Sequence, residues 1–127
     1  MYKSITKDIH VEVLPAYDDQ YSEPHRDYYY FSYTVKITNK SPKKTQLIAR
    51  HWVITDGSGQ IQEIKGPGVI GEQPFLEPGE TYIYQSACPL DTPTGNMRGS
   101  YQMKDDQDGL FDITIPLFFL RHPDTFH

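Results

Sequence analysis

Apolar and polar residues alternate along most of this chain with a period of two. In DYYYFSYTVKITN, Tyr29, Phe31, Tyr33, Val35 and Ile37 fall on one side, and Tyr28, Tyr30, Ser32, Thr34 and Lys36 on the other. Successive side chains of an extended strand point to opposite faces, so a strand with one buried face reads this way. In NMRGSYQMK, Met97, Gly99, Tyr101 and Met103 oppose Arg98, Ser100, Gln102 and Lys104. In GLFDITIP, Phe111, Ile113 and Ile115 oppose Asp112 and Thr114, and in HVEVLPAY, Val11 and Val13 oppose Glu12. LIARHWVIT, QIQEIK and ETYIYQSA are further strands.

Turn residues separate these runs. Asp56-Gly57 with Ser58-Gly59 joins LIARHWVIT to QIQEIK, and Asp108-Gly109 joins SYQMK to LFDITI. Such pairs mark hairpins because glycine accepts the positive φ of primed turns. No window carries a capped helical stripe, and the connections are rich in proline. About seven short strands in 127 residues predict an all-β chain. We read it as a single domain spanning residues 1–127, an immunoglobulin-like antiparallel β-sandwich. Trp52, in mid-strand, would pack in its core. Cys88 is the sole cysteine, so the packing must do without an inter-sheet disulfide, as in the fibronectin type III-like variety. A closed barrel is the alternative arrangement.

Composition narrows the function. A net charge of -5, with basic clustering only at Lys36, Lys40, Lys43 and Lys44, lacks the broad positive face of a nucleic-acid groove, and no nucleic acid is expected. A single cysteine fits a reducing, cytoplasmic setting. The N-terminus has no apolar signal run, and IPLFFL, the longest apolar run, is strand-sized, so no membrane insertion is expected.

One stretch hints at chemistry. KGPGVIGEQP contains G-x-G-x-x-G at Gly66, Gly68 and Gly71. A dinucleotide fold needs a helix directly after such glycines to hold the pyrophosphate at its N-terminus. Here EQPFLEPGET follows, and its prolines would break that helix. No G-K-[ST] follows for a phosphate loop, and the partner motifs of a kinase are lacking. The plain reading is a tight turn at Gly66-Pro67-Gly68 and a close-packed bend at Gly71. A nest of turn amides holding an anion, with Arg50 or Lys65 adding charge, is the alternative.

The remaining candidates read as structure. His10, His25, His51, His122 and His127 form no spaced ligand pair, so neither metal nor cofactor is expected. Asp105, Asp106 and Asp108 surround a hairpin tip, and Ser58 sits in a turn where a nucleophile elbow would need a strand and a helix. Cys88 has no adjacent base to activate it. No catalytic constellation is visible.

The segments RHWVITDG, GPGVIGEQPFLEPGE and CPLDTPTGNMRGSYQM, with YFSYTVKITN before and FDITIPLFFL after, closely resemble the ApaG family. The resemblance runs from about Ile9 to Leu120 and implies a fibronectin type III-like sandwich. It also implies an association with cobalt resistance and magnesium efflux, and gene neighbours that include a diadenosine tetraphosphate hydrolase. Related domains in eukaryotic F-box proteins look like protein-interaction modules, and the family has no established catalytic activity. The expectation is a non-enzymatic binding module, monomer or homodimer, for an unidentified protein partner. The expected surface is Gly66, Gly68, Gly71, Glu72 and Gln73 with Arg50, joined by neighbouring loops such as PLDTPTG. Exposed edge strands could instead take a partner strand. The rival is a phosphate or nucleotide ligand held by the Gly66–Gly71 amides, and a third reading is an enzyme acting with a bound metal.

Overall fold

A computed structural model describes residues 1–125; His127 lies outside them. Among the described residues nine strands pair antiparallel: β1 (Tyr2–Thr6), β2 (Ile9–Tyr17), β3 (Tyr29–Asn39), β4 (Thr45–Asp56), β5 (Ile61–Pro67), β6 (Phe75–Leu76), β7 (Thr81–Leu90), β8 (Thr94–Asp105) and β9 (Leu110–Arg121). The seven expected runs are β2 to β5 and β7 to β9. The described residues contain no α-helix, only short 3-10 turns at Pro24–Arg26 and Pro123–Thr125.

One sheet runs β1-β2-β3-β7; the other runs β5-β4-β8-β9, with β6 pairing the start of β4. Their inner faces stack as a sandwich, not a closed barrel. Val11, Val13, Phe31 and Val35 come from the first sheet, and Leu47, Trp52, Tyr101 and Ile113 from the second. Trp52 is 3% exposed and meets Tyr33, Tyr101 and Phe118 edge-on at 5.3, 6.4 and 5.9 Å between ring centres.

Two bulges shift the alternation. Ile48 is an extra residue in β4, between Leu47 and Ala49. Thr45 and Leu47 face the core before it; Trp52 and Ile54 do so after it. In β9 the register jumps between Ile115 and Phe118, and Pro116 sits in the jog, where a missing N–H breaks no ladder bond.

The hairpin tips correct one detail of the glycine reasoning. The positive φ in the β4–β5 turn belongs to Gly59 (+88°), not Gly57, and in the β8–β9 turn to Asp108 (+61°), not Gly109. Asp56 and Asp105 cap the two tips by accepting backbone N–H bonds from Ser58 and Gln60, and from Gln107 and Gly109. Hydrogen bonds hold both carboxyls below their ordinary pKa, the Ser58 hydroxyl leading at Asp56 and the Gly109 amide at Asp105.

The strands β1 and β9 meet at one side of the sandwich. The Thr114 N–H donates to Thr6 Oγ1 at 3.1 Å, and the Ser4 hydroxyl donates to the Thr114 carbonyl at 2.5 Å. Inside the core the hydroxyls of Tyr84 and Tyr101 bond each other, and burial is the main force raising both phenols above their ordinary pKa. Tyr101→Phe would leave the Tyr84 hydroxyl buried and unpaired, at a cost of about 1–3 kcal/mol in urea unfolding. The Tyr84→Phe, Tyr101→Phe double variant should recover most of that loss, since no orphaned hydroxyl remains.

Candidate functional site

The glycine stretch leaves the end of β5 and turns back beside the start of β4. The bulged Ile48 frees its carbonyl for this loop: it accepts the Gly68 N–H at 2.8 Å and the Gln73 side-chain amide at 2.9 Å. Gln46 Nε2 in turn donates to the Gln73 carbonyl at 3.1 Å. Arg50 stands opposite Gly66 across the β4–β5 ladder. Its Nη1 donates to the Pro67 and Gly68 carbonyls at 2.8 and 3.0 Å.

The three glycines do different work. Gly66 makes room for the guanidinium, since a Cβ there would lie 3.0 Å from Arg50 Nη2. Gly68 has φ +59°, and a Cβ on it would strike the Glu72 carbonyl oxygen. Gly71 has φ +75° and open space around it, so the close-packed bend is at Gly68 and not at Gly71. Val69 and Glu72 exchange backbone bonds of 2.8 and 2.9 Å, which makes Ile70-Gly71 the tip of a two-residue hairpin. Ile70 takes φ +47° there with its side chain 60% exposed. A β-branched residue at positive φ is held in place by its surroundings, not by its own preference. Glu72 reaches across to the other sheet, where the Tyr82 hydroxyl donates to its Oε2 at 3.1 Å. Burial first, and then this carboxylate, raises the Tyr82 phenol.

Beside the loop, the second sheet forms a cleft of about 520 Å³ on its outer face. Ser100, His51 and Lys65 are register partners across β8, β4 and β5; Asp112, Gln102, Ala49 and Pro67 make the next row. The short Ala49 leaves the hollow, and Arg50, Gly66 and Gln73 line it too. His51 Nε2 lies 2.8 Å from Glu63 Oε1, and Lys65 Nζ lies 3.4 Å from the same oxygen. His51 first and Lys65 second lower the Glu63 carboxyl. Ser100 and His51 are register partners and His51 Nε2 engages Glu63, but among the described residues no hydrogen bond joins the Ser100 hydroxyl to His51. Among the described residues no group of three His, Cys, Asp or Glu is placed to hold a metal ion.

Gly66 and Gln73 border the cleft, Arg50 shares the inward parity of Tyr101 and turns its guanidinium to the loop carbonyls, Gly68 forms the packed corner, and Gly71 and Glu72 form the exposed turn. The PLDTPTG loop does not join them. Thr92 Oγ1 accepts the Gly57 N–H at 2.8 Å, at the far end of β4 from Ile48. Chain reversal at every hairpin sends these two loops to opposite ends of the sandwich. Sequence reasoning passed over His51, Glu63, Ser100, Gln102 and Asp112 as a group, because only the strand register unites them. The amides of Gly68, Val69 and Glu72 already donate to backbone carbonyls, which limits the anion nest to what the tip can offer.

Two stacked antiparallel sheets with this strand order and a buried mid-strand Trp, held without a disulfide, define a fibronectin type III-like sandwich. Residues 19–105 match the ApaG domain, and the chain belongs to the ApaG family. ApaG proteins of Rhizobium leguminosarum bv. trifolii and Paramagnetospirillum magneticum are each 50% identical over 123 residues, covering 97% of this chain and 95% of theirs. The crystal structure of an ApaA protein from Bordetella pertussis superimposes with TM-score 0.90 at 47% identity, over 93% of this chain and 96% of that one. The C-terminal domain of wzt, at 9% identity and TM-score 0.57, shares the fold alone.

Proposed function

We propose that this domain is a non-catalytic binding module that grips a protein partner with the Gly66–Gln73 loop and the adjoining cleft. The observation that carries the reading is Ile70. An apolar, β-branched side chain is held out to water at a backbone angle that costs it about 1–2 kcal/mol. Arg50, Ile48 and the Val69–Glu72 pair keep it there. A folded domain that places an apolar anchor on a braced loop is suited to insert it into a partner's pocket. The cleft beside it offers Lys65 and His51 on one side and Asp112 on the other, so it can orient a polar segment of either charge. Under this reading the cobalt and magnesium association is carried by the partner.

Ile70→Asn separates the loop's use from its stability. Asparagine tolerates positive φ, so the variant should gain about 1 kcal/mol, a rise of roughly 3–5 °C in melting temperature. The same change should abolish recovery of the partner in affinity capture from the native host, as should Glu72→Ala with Gln73→Ala. Undiminished capture by both variants would sink the proposal. Titration with millimolar pyrophosphate addresses the rival: the Gly68 and Val69 amide resonances should not move.

A further inference from the structure

We propose that β7 is the seam of a homodimer, in which a second copy of this chain lays its own β7 antiparallel along the free side of this one. The two sheets end in four outer strands, β1, β7, β5 and β9. An unpaired edge offers a row of backbone donors and acceptors to any extended chain, and natural sheets blunt their edges with charge or cover. Three of the four are blunted here. The strand β1 carries Lys3 and lies against β9; β5 carries Glu63 and Lys65. The strand β9 is uncharged from Ile113 to Leu120, but the hydroxyls of Thr6 and Ser4 engage the Thr114 N–H and carbonyl.

The strand β7 has neither device. Its ten residues, TYIYQSACPL, are the longest run in the chain without Asp, Glu, Lys or Arg. Among the described residues its ladder runs to β3 alone. Ile83 on its outward face is 60% exposed, and Gln85 and Ala87 on the same face are exposed as well. Only Pro89, at the far end, lacks a donor.

The occupant that fits is the strand itself. A twofold axis through Gln85 sets that residue against Gln85 of the partner subunit, where two carboxamides can each donate and accept. It sets Ile83 against Ala87 of the partner subunit, and the reverse, which buries the exposed isoleucine on an uncharged neighbour. No charge meets a like charge, an advantage for a chain of net charge -5. The two first sheets then join edge to edge, while the outer-face cleft of the second sheet stays open. This inference stands on β7 and is independent of how the glycine loop is used.

Sedimentation equilibrium from micromolar to about 1 mM tests it. The expected result is a concentration-dependent dimer whose dissociation constant rises about tenfold or more in Gln85→Lys, which sets two ammonium groups face to face. Gln85→Thr, neutral and strand-favouring, should keep the dimer, and so should Ile61→Lys on β5. Gln85 is exposed, so the variants should melt like the parent as dilute monomers. In the parent, hydrogen exchange of amides within 83–87 should slow as concentration rises. A monomer at every concentration overturns the proposal, and so does a dimer that Gln85→Lys leaves intact or that Ile61→Lys breaks.

Discussion

Gly68→Ala is expected to lower the unfolding free energy by about 2–4 kcal/mol, read as a shift of the urea midpoint at unchanged slope. Two costs combine. The new Cβ must tolerate φ +59°, and it meets the Glu72 carbonyl, a backbone atom fixed by the Val69–Glu72 pair. Gly71→Ala bears only the first cost and should lose about 1 kcal/mol, since nothing stands near its Cβ. Gly66→Ala presses on a flexible guanidinium and should lose less than about 1 kcal/mol, while loosening Arg50 from the loop. The order Gly68, Gly71, Gly66 is the signature of a packed corner. Equal losses at all three positions would contradict it.

Trp52→Ala should cost about 3–5 kcal/mol, roughly a fifth or more of the stability usual for a folded domain. The indole lies under three rings, Tyr33, Tyr101 and Phe118, drawn from both sheets, and no neighbour can collapse far enough to fill its place. Trp52 is the chain's sole tryptophan, so the variant must be followed by far-ultraviolet circular dichroism instead of indole fluorescence. A loss below about 1 kcal/mol would mean that the two sheets do not depend on this contact for their packing.

The strands that were legible in the sequence are those that bury one apolar face. The strand β1 was not, because its pattern is inverted: Ser4 and Thr6 are half-buried while Lys3 and Ile5 are exposed. Its turn is also silent, since Lys7 and Asp8 both take positive φ without a glycine. The two-residue β6 is too short to show a period. The bulges at Ile48 and beside Pro116 change which parity faces inward, and only the partner strand reveals that an extra residue is present. The glycine loop was legible as a turn from its composition. Its neighbours were not, because Arg50 meets Pro67 and His51 meets Glu63 through the register of β4 on β5.

The family match, residues 19–105, takes in β3 through β8 and omits the strands that flank them. A fragment trimmed to those limits would forfeit Ile9, Val11 and Val13 from one layer and Ile113, Ile115, Phe118 and Leu120 from the other. It would also strip the outer neighbours of β3 and β8, turning two interior ribbons into raw borders. The cooperative unit is therefore wider than its signature, and expression boundaries belong outside Tyr2 and Arg121.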